Sequence, residues 1–118
     1  MNILFIERDV TSRRLVKDML IQAGATLIEA DEADEVRLST GPGIALAIVE
    51  VEENGDGIAA IDRLNAWGRE RPPILALVRG AALVESCRAA GADEVLVEPA
   101  PLTELFGAIV RHLPAAGP

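Results

Sequence analysis

The sequence predicts an α/β domain in which a parallel sheet is covered by helices on both faces. Five short apolar runs alternate with segments whose apolar residues recur at helical spacing, and this alternation is typical of successive βα units. One run, residues 44–51, is apolar at nearly every position, as expected of a strand that is buried on both faces. A chain of 118 residues is long enough to form one domain with its own core.

The predicted strands are the five runs rich in strand-forming residues, at positions 3–6, 25–29, 44–51, 74–78 and 94–98. The first helix is expected between Asp9, which can cap it, and Gly24, which ends it. A short acidic helix is predicted over residues 31–39, before a Gly-Pro-Gly sequence that breaks the chain.

The remaining helices are predicted from their apolar residues and from the turns around them. Asp56 is expected to cap the third helix and Gly68 to stop it, whereas Gly91 closes the fourth. The fifth helix has the clearest apolar stripe, formed by Leu102, Leu105, Phe106, Ile109, Val110 and Leu113. The domain is therefore expected to cover residues 1–113, with residues 114–118 forming a linker or a frayed end.

Charge and composition oppose several classes of function. A formal net charge of −8 and an aromatic content of 3% are unfavourable for binding nucleic acid. The single histidine and the single cysteine argue against a His/Cys metal centre, and Cys87 is predicted to be a small core residue. No apolar run approaches the roughly 20 residues needed to cross a membrane, and the first residues lack the basic region of a signal peptide. We expect a cytoplasmic domain without a cofactor or a membrane contact.

Charged residues stand where four of the predicted strands end. Glu7 and Arg8 follow the first strand, Glu50 lies near the end of the third, Arg79 follows the fourth, and Glu98 ends the fifth. Ligands of open parallel sheets bind beyond the carboxyl ends of the strands. The sequence therefore predicts that these five side chains converge on one rim.

Four segments of the chain resemble the receiver domains of two-component response regulators: ILFIERDVTSRRLVKDML, IALAIVE with the NGDG turn, PPILALV, and AGADEVLVEPAPLTELFGAIV. The resemblance covers essentially the whole chain, and the last segment is the most specific. It implies a flavodoxin-like, three-layer α/β/α fold with a five-stranded parallel sheet in the order 2-1-3-4-5. It also implies a cis peptide bond between Glu98 and Pro99.

The positions at which receivers carry their working residues are changed in this chain. The acidic pair that holds Mg²⁺ matches Glu7 and Arg8, and the phosphorylated aspartate matches Glu50, or Val49 if no gap is allowed. The switch hydroxyl, the lysine after the fifth strand and the aromatic switch residue correspond to Val78, Glu98 and Val95. Phosphoryl transfer depends on positioning and on charge neutralisation by metal and lysine. The replacements predict a degenerate receiver without a catalytic residue or a metal site.

The charges at the rim need another source of neutralisation if no metal or phosphoryl group binds there. Three carboxylates require cations, or one of them must bind a proton. We hypothesise that Arg8 and Arg79 pair with Glu7, Glu50 and Glu98; a solvated rim of charges is the alternative. Three basic residues of the first helix, Arg13, Arg14 and Lys17, are expected to form a solvated face or to take part in recognition.

The sequence predicts an interaction module that is not an enzyme. Its partner would be a histidine kinase, an effector protein or a second copy of the chain. The candidate contact face consists of the fourth helix, the fifth strand and the fifth helix, with Glu85, Arg88, Glu94, Val95, Glu104 and Arg111. Two alternatives remain open at this point: a response regulator still phosphorylated at or near Glu50, and a flavodoxin-like domain that binds a small molecule.

Overall fold

The computed structural model describes residues 2–7, 13–30 and 43–113 of the chain. The five strands β1 to β5 cover Asn2–Ile6, Thr26–Ala30, Ile44–Val51, Ile74–Arg79 and Glu94–Glu98, each within one residue of its predicted ends. The described helices are α1 (Arg14–Gln22), α2 (Ile58–Asn65), α3 (Val84–Ala90) and α4 (Leu102–His112). Short 3-10 helices occupy Gly68–Glu70 and Ala81–Leu83. The helix predicted over residues 31–39 and the tail of residues 114–118 lie outside the described residues.

The strands form one parallel sheet in the order β2-β1-β3-β4-β5, as predicted. Ile6 of β1 lies beside Val49 of β3, and Val51 lies beside Val78 of β4. Arg79 at the end of β4 lies beside Glu98 at the end of β5. The carboxyl ends of β1, β3, β4 and β5 therefore meet at one edge of the sheet.

Two apolar layers cover the sheet, which confirms the three-layer α/β/α architecture. Helices α1 and α4 pack on one face through Val16, Leu20, Leu105, Ala108 and Ile109. Helices α2 and α3 pack on the other face through Ile61, Leu64 and Cys87, with Trp67 beside them. The prediction that Cys87 is a core residue is confirmed, because its side chain is fully buried.

The predicted apolar stripe of the last helix is only partly correct. Leu105 and Ile109 are buried, but Leu102 is 39% and Val110 is 57% exposed. The stripe is wider than the strip of helix surface that contacts the sheet, so its outer residues turn away from the core. The same holds for Leu15 of α1, which shares the helical spacing of the inner residues and is 61% exposed.

The cap predictions for two helices are wrong. Helix α2 is preceded by Gly57 rather than Asp56, with φ 106°, and a Cβ atom at Gly57 would lie 2.4 Å from the carbonyl oxygen of Glu50. Helix α1 is preceded by Arg13, four residues after Asp9, and Arg13 adopts the left-handed conformation with φ 62°. The expected cis bond between Glu98 and Pro99 is confirmed.

Candidate functional site

The carboxylates of β1 and β3 lie side by side at the carboxyl edge of the sheet. Glu7 directly follows Ile6, whose neighbour across the strands is Val49, so Glu7 and Glu50 are adjacent. Both glutamates are buried, with 4% and 7% of their surface exposed. Val49 packs into the core beside α2 and α3. Because side chains alternate along a strand, Glu50 faces the α1 and α4 side, and it is the polar group that β3 contributes to this edge.

Lys17 of α1 neutralises the carboxylate of Glu7. Its ammonium group donates a hydrogen bond to Glu7 and a second one, of 2.5 Å, to Oε1 of Glu29 on β2. The same Nζ atom lies 5.3 Å from the centre of the Phe5 ring, within the range of a cation–π contact. Only 5% of the Lys17 surface is exposed. One buried cation therefore links α1 to both strands at this side of the sheet.

Burial and pairing act in opposite directions on the Glu7–Lys17 pair. Burial raises the pKa of Glu7 above its usual value, against the lowering effect of Lys17. Among the described residues, Oε2 of Glu7 has no hydrogen-bond partner. Burial alone would lower the pKa of Lys17, but the hydrogen bonds to Glu29 and Glu7 outweigh it, so that pKa is raised. The pair favours a charged lysine and leaves Glu7 incompletely compensated.

Arg13 connects the two other carboxylates of this edge. It forms an ion pair with Oε1 of Glu98, and its Nη2 lies 3.9 Å from Oε2 of Glu50. The side chains of Arg13 and Glu98 are 18% and 13% exposed, so both are largely removed from water. Burial lowers the pKa of Arg13, while the nearby charge of Glu50 raises it. An arginine remains charged even so, because its ordinary pKa is above about 12.

Arg79 approaches the edge from the end of β4. Its guanidinium lies 3.7 Å from Oε1 of Glu50 and 3.6 Å from Oε2 of Glu52. About half of the Arg79 side chain, 51%, is exposed. Exposed ion pairs contribute little to stability, typically below about 1 kcal/mol. Arg79 thus adds positive charge to the rim without fixing its geometry.

Three cations and five carboxylates are joined at this edge, which we call the strand-end cluster. Its members among the described residues are Glu7, Arg13, Lys17, Glu29, Glu50, Glu52, Arg79 and Glu98. Of the predicted rim residues, Glu7, Glu50, Arg79 and Glu98 are brought together here, whereas Arg8 lies outside the described residues. The cluster can hold its carboxylates close together because the cations are built into the same fold.

Two cationic members of the strand-end cluster were missed by sequence reasoning. Arg13 and Lys17 were expected to form a solvated face or to take part in recognition, and the solvated face is wrong for both, although Arg14 is exposed. A usable signal was present, because Arg13, Lys17 and the buried Leu20 follow the helical spacing of four and three residues. That spacing places the two basic residues beside the inner face of α1.

No family model matches the chain, and no curated protein is similar to it. Solved structures are similar over nearly its whole length. CheY4 of Vibrio cholerae matches with a TM-score of 0.77 and 20% identity, over 95% of this chain and 98% of that one. NtrX of Brucella abortus matches with a TM-score of 0.74 and 23% identity, over 95% of this chain. The chain spans only 26% of NtrX.

The chain has the receiver fold. A third structure with this fold, the CheY of Borrelia burgdorferi in a complex with CheX, BeF₃ and Mg²⁺, matches with a TM-score of 0.75 and 17% identity. The match covers 94% of this chain and 87% of that one. At these identities the similarity establishes the architecture, and the chemistry must be judged from the residues at the strand ends.

Glu7 and Glu50, which the resemblance matches to the metal-binding and phosphorylated positions of receivers, are engaged by cations of the chain. The Mg²⁺ ion prefers near-octahedral oxygen ligands. Glu7 is bound by Lys17, and Glu50 lies between Arg13 and Arg79. In the described part of the chain, no group of three or more His, Cys, Asp or Glu side chains is arranged to hold a metal. Resident cations of the protein thus stand around the oxygens that a metal would use.

Val78 and Val95, which the resemblance matches to the switch positions of receivers, are both apolar. Val78 is completely buried, with 0% of its surface exposed, and packs into the core beside α2 and α3. Val95 is half-buried and contacts the same core. A valine side chain has no hydrogen-bonding group. Neither position offers a hydroxyl group or an aromatic ring to the strand-end cluster.

The candidate partner face on α3, β5 and α4 carries charges that pair within the chain. Arg88 lies 3.1 Å from Glu85, and Nη2 of Arg111 lies 2.5 Å from Glu94. His112 contacts the same glutamate at 2.7 Å. Glu104 is exposed on α4. The hydrogen bond from Arg111, assisted by His112, holds the pKa of Glu94 below its usual value.

Helices long and apolar enough to span a membrane are absent from the ranges that the structure covers.

Proposed function

We propose that the chain is a signalling module of the receiver type that acts through contact with a protein partner and does not depend on phosphorylation at β3. The receiver fold supports the first part of the proposal. The strand-end cluster supports the second part, because Glu7, Glu50 and Glu98 are each paired with a cation of the chain itself. The chain then needs neither Mg²⁺ nor a phosphoryl group to complete this edge of the sheet.

The observation that carries the proposal is the ion pair between Arg13 and Glu98. A receiver has a lysine at the position of Glu98, where it attracts the phosphoryl group. Here the position bears a negative charge, and two like charges about 5 Å apart repel by roughly 3 kcal/mol at an effective dielectric constant of 20. A phosphoryl dianion on Glu50 would also compete with Glu98 for Arg13.

The burial of Val78, at the position that matches the switch hydroxyl of receivers, also supports the proposal. A phosphorylated receiver draws a hydroxyl group towards the phosphoryl oxygens. A ligand shifts a conformational equilibrium only through contacts that differ between the two states. Val78 cannot make such a contact, since it has no polar atom and lies wholly within the core. A phosphoryl group at this edge would have no signal to transmit through β4.

Intact-mass spectrometry after incubation with acetyl phosphate and Mg²⁺ tests the proposal. We expect the wild-type chain to keep its mass. A species heavier by one phosphoryl group would overturn the proposal and support the alternative of a working phosphoacceptor. The Glu50→Gln variant then locates the modification: loss of the heavier species assigns it to Glu50, and persistence assigns it to another residue.

We propose the face of α3, β5 and α4 as the surface that contacts the protein partner. Co-purification from the native cell with Arg88→Glu tests it, because Arg88 is exposed on this face. Arg69→Glu, an equally drastic change at an exposed position of the 3-10 helix, is the matched control. We expect the partner to be lost from the first variant and kept by the second. Retention by both would exclude this face.

A further inference from the structure

An open apolar groove lies between α1 and α4, with a volume of about 460 Å³. It is lined by Met19 of α1 and by Leu102, Thr103, Phe106, Gly107 and Val110 of α4. The hydroxyl of Thr103 is the one polar side-chain group among these lining residues. The groove is independent of the strand-end cluster, because it shares no residue with it.

Exposed apolar side chains concentrate around this groove. Within the described ranges, five large apolar residues are markedly exposed: Leu15, Ile21, Val97, Leu102 and Val110. Leu102 and Val110 line the groove, and Leu15 lies one helical turn before Met19 on the same side of α1. Three of the five therefore form one continuous surface. Contiguous apolar surface of this kind marks sites of protein contact in water-exposed domains.

The charges beside the groove suit a second copy of the same chain. Arg14 and Asp18 are both exposed and form a ridge next to Leu15 and Met19 on α1. They carry opposite charges and lie four residues apart. If two α1 helices meet antiparallel across a two-fold axis, each Arg14 faces the Asp18 of the other copy. The surface is thus complementary to itself in both its apolar and its charged parts.

We infer that the surface formed by α1 and α4 binds a second copy of the chain in a two-fold symmetric contact. Each copy carries a formal net charge of −8, so two copies repel each other over most of their surface. Arg14 and Asp18 cancel, which leaves this ridge without net charge. The inference does not depend on the proposed loss of phosphorylation. Helix α4 contributes to this surface and to the one proposed for the protein partner, but with different residues: Leu102 and Val110 here, Glu104 and Arg111 there.

Light scattering over a concentration series of the wild-type chain tests the inference. The measured mass should rise from 12.5 kDa towards twice that value. Leu15→Asp and Val110→Asp place a charge in the apolar surface and should keep the mass at 12.5 kDa. Val97→Asp is the matched control, because Val97 is exposed on β5 and does not belong to this surface. It should associate like the wild type. Circular dichroism of each variant is the control that it is folded.

The charged ridge is tested by exchanging its two residues. Arg14→Glu and Asp18→Arg alone should each weaken association at least several-fold, because each brings like charges together. The double variant, with both exchanges, should restore it. A wild-type chain that stays at 12.5 kDa up to about 1 mM would overturn the inference. Association that survives in folded Leu15→Asp and Val110→Asp would overturn it as well.

Discussion

Arg13, immediately before α1, is ion-paired with Glu98, the last residue of β5. The contact spans most of the sheet's width, because β5 is an edge strand and α1 follows β1, which is separated from β5 by β3 and β4. Arg13 also lies 3.9 Å from Glu50, so one guanidinium serves two carboxylates. It adopts the left-handed backbone conformation, which costs a non-glycine residue about 1–2 kcal/mol. The surrounding contacts must compensate for this cost.

Removing the Arg13 side chain should destabilise the fold. Arg13→Ala leaves Glu98 and Glu50 without their shared cation in a site that is largely closed to water. We expect the free energy of unfolding in urea to fall by about 2 kcal/mol. Arg14→Ala, at the exposed neighbouring position, should change it by less than about 0.5 kcal/mol. Equal effects of the two substitutions would show that the Arg13 pairs contribute nothing to stability.

Removing the Lys17 ammonium should have a larger effect, with a defined pH dependence. Lys17→Met leaves the buried carboxylate of Glu7 without a cation and should cost about 3 kcal/mol at neutral pH. Burial already raises the folded-state pKa of Glu7, so its ionisation opposes folding as the pH rises through that pKa. The loss should therefore shrink on acidification, when Glu7 binds a proton.

The control for the lysine substitution is a second change at its partner. Lys17→Met combined with Glu7→Gln removes the uncompensated charge together with the cation. In urea unfolding at neutral pH, the double variant should be more stable than Lys17→Met alone. If the double variant is less stable than the single one, Glu7 is not the group that Lys17 neutralises.

Adding a methyl group at Gly57 should be costly because the loop after β3 is held against the strand. A Cβ atom there would lie 2.4 Å from the Glu50 carbonyl oxygen. Gly24 is the matched control, since it has a similar φ of 97° but no atom within 4 Å of the place that a Cβ would take. Both Gly→Ala changes carry the backbone cost of about 1–2 kcal/mol. Thermal unfolding should show Gly57→Ala to be clearly the less stable variant.

The contacts of Glu94 with Arg111 and His112 should contribute to stability only above the acid range. The hydrogen bond from Arg111 holds the folded-state pKa of Glu94 below the ordinary 4.5. This contribution is present above the unfolded-state pKa and is lost as the pH falls through the folded-state pKa. The Glu94→Gln variant should therefore be less stable than the wild type at neutral pH. Its free energy of unfolding should also depend less on pH below about 4.5. The exposed Glu53→Gln variant should follow the wild-type profile.

The sheet could be predicted from the sequence because its signals are local. Runs such as residues 44–51 are apolar, short and bounded by turn residues, and each became a strand within one residue of its predicted ends. The strand ends then placed Glu7, Glu50, Arg79 and Glu98 on one edge. These positions follow from parallel topology alone, without knowledge of any side-chain contact.

The cations that reach those carboxylates could not be predicted with the same success. Arg13 and Lys17 are long side chains on a helix, and their polar tips lie several bonds away from the backbone that periodicity describes. Whether such a tip meets water or a buried glutamate depends on how α1 is rotated against the sheet. The helical spacing places both residues beside the inner face of α1, but the final rotation of the helix is set by the tertiary packing of Val16 and Leu20.

Titration with Mg²⁺, followed by NMR of the backbone amides at Glu7, Glu50 and Glu98, tests most directly whether the strand-end cluster replaces the metal site. The account predicts no saturable shift of these amides in the wild-type chain at millimolar Mg²⁺. A saturable shift with a dissociation constant below about 1 mM would contradict it, because the carboxylates would then prefer a metal ion to their own arginine and lysine partners.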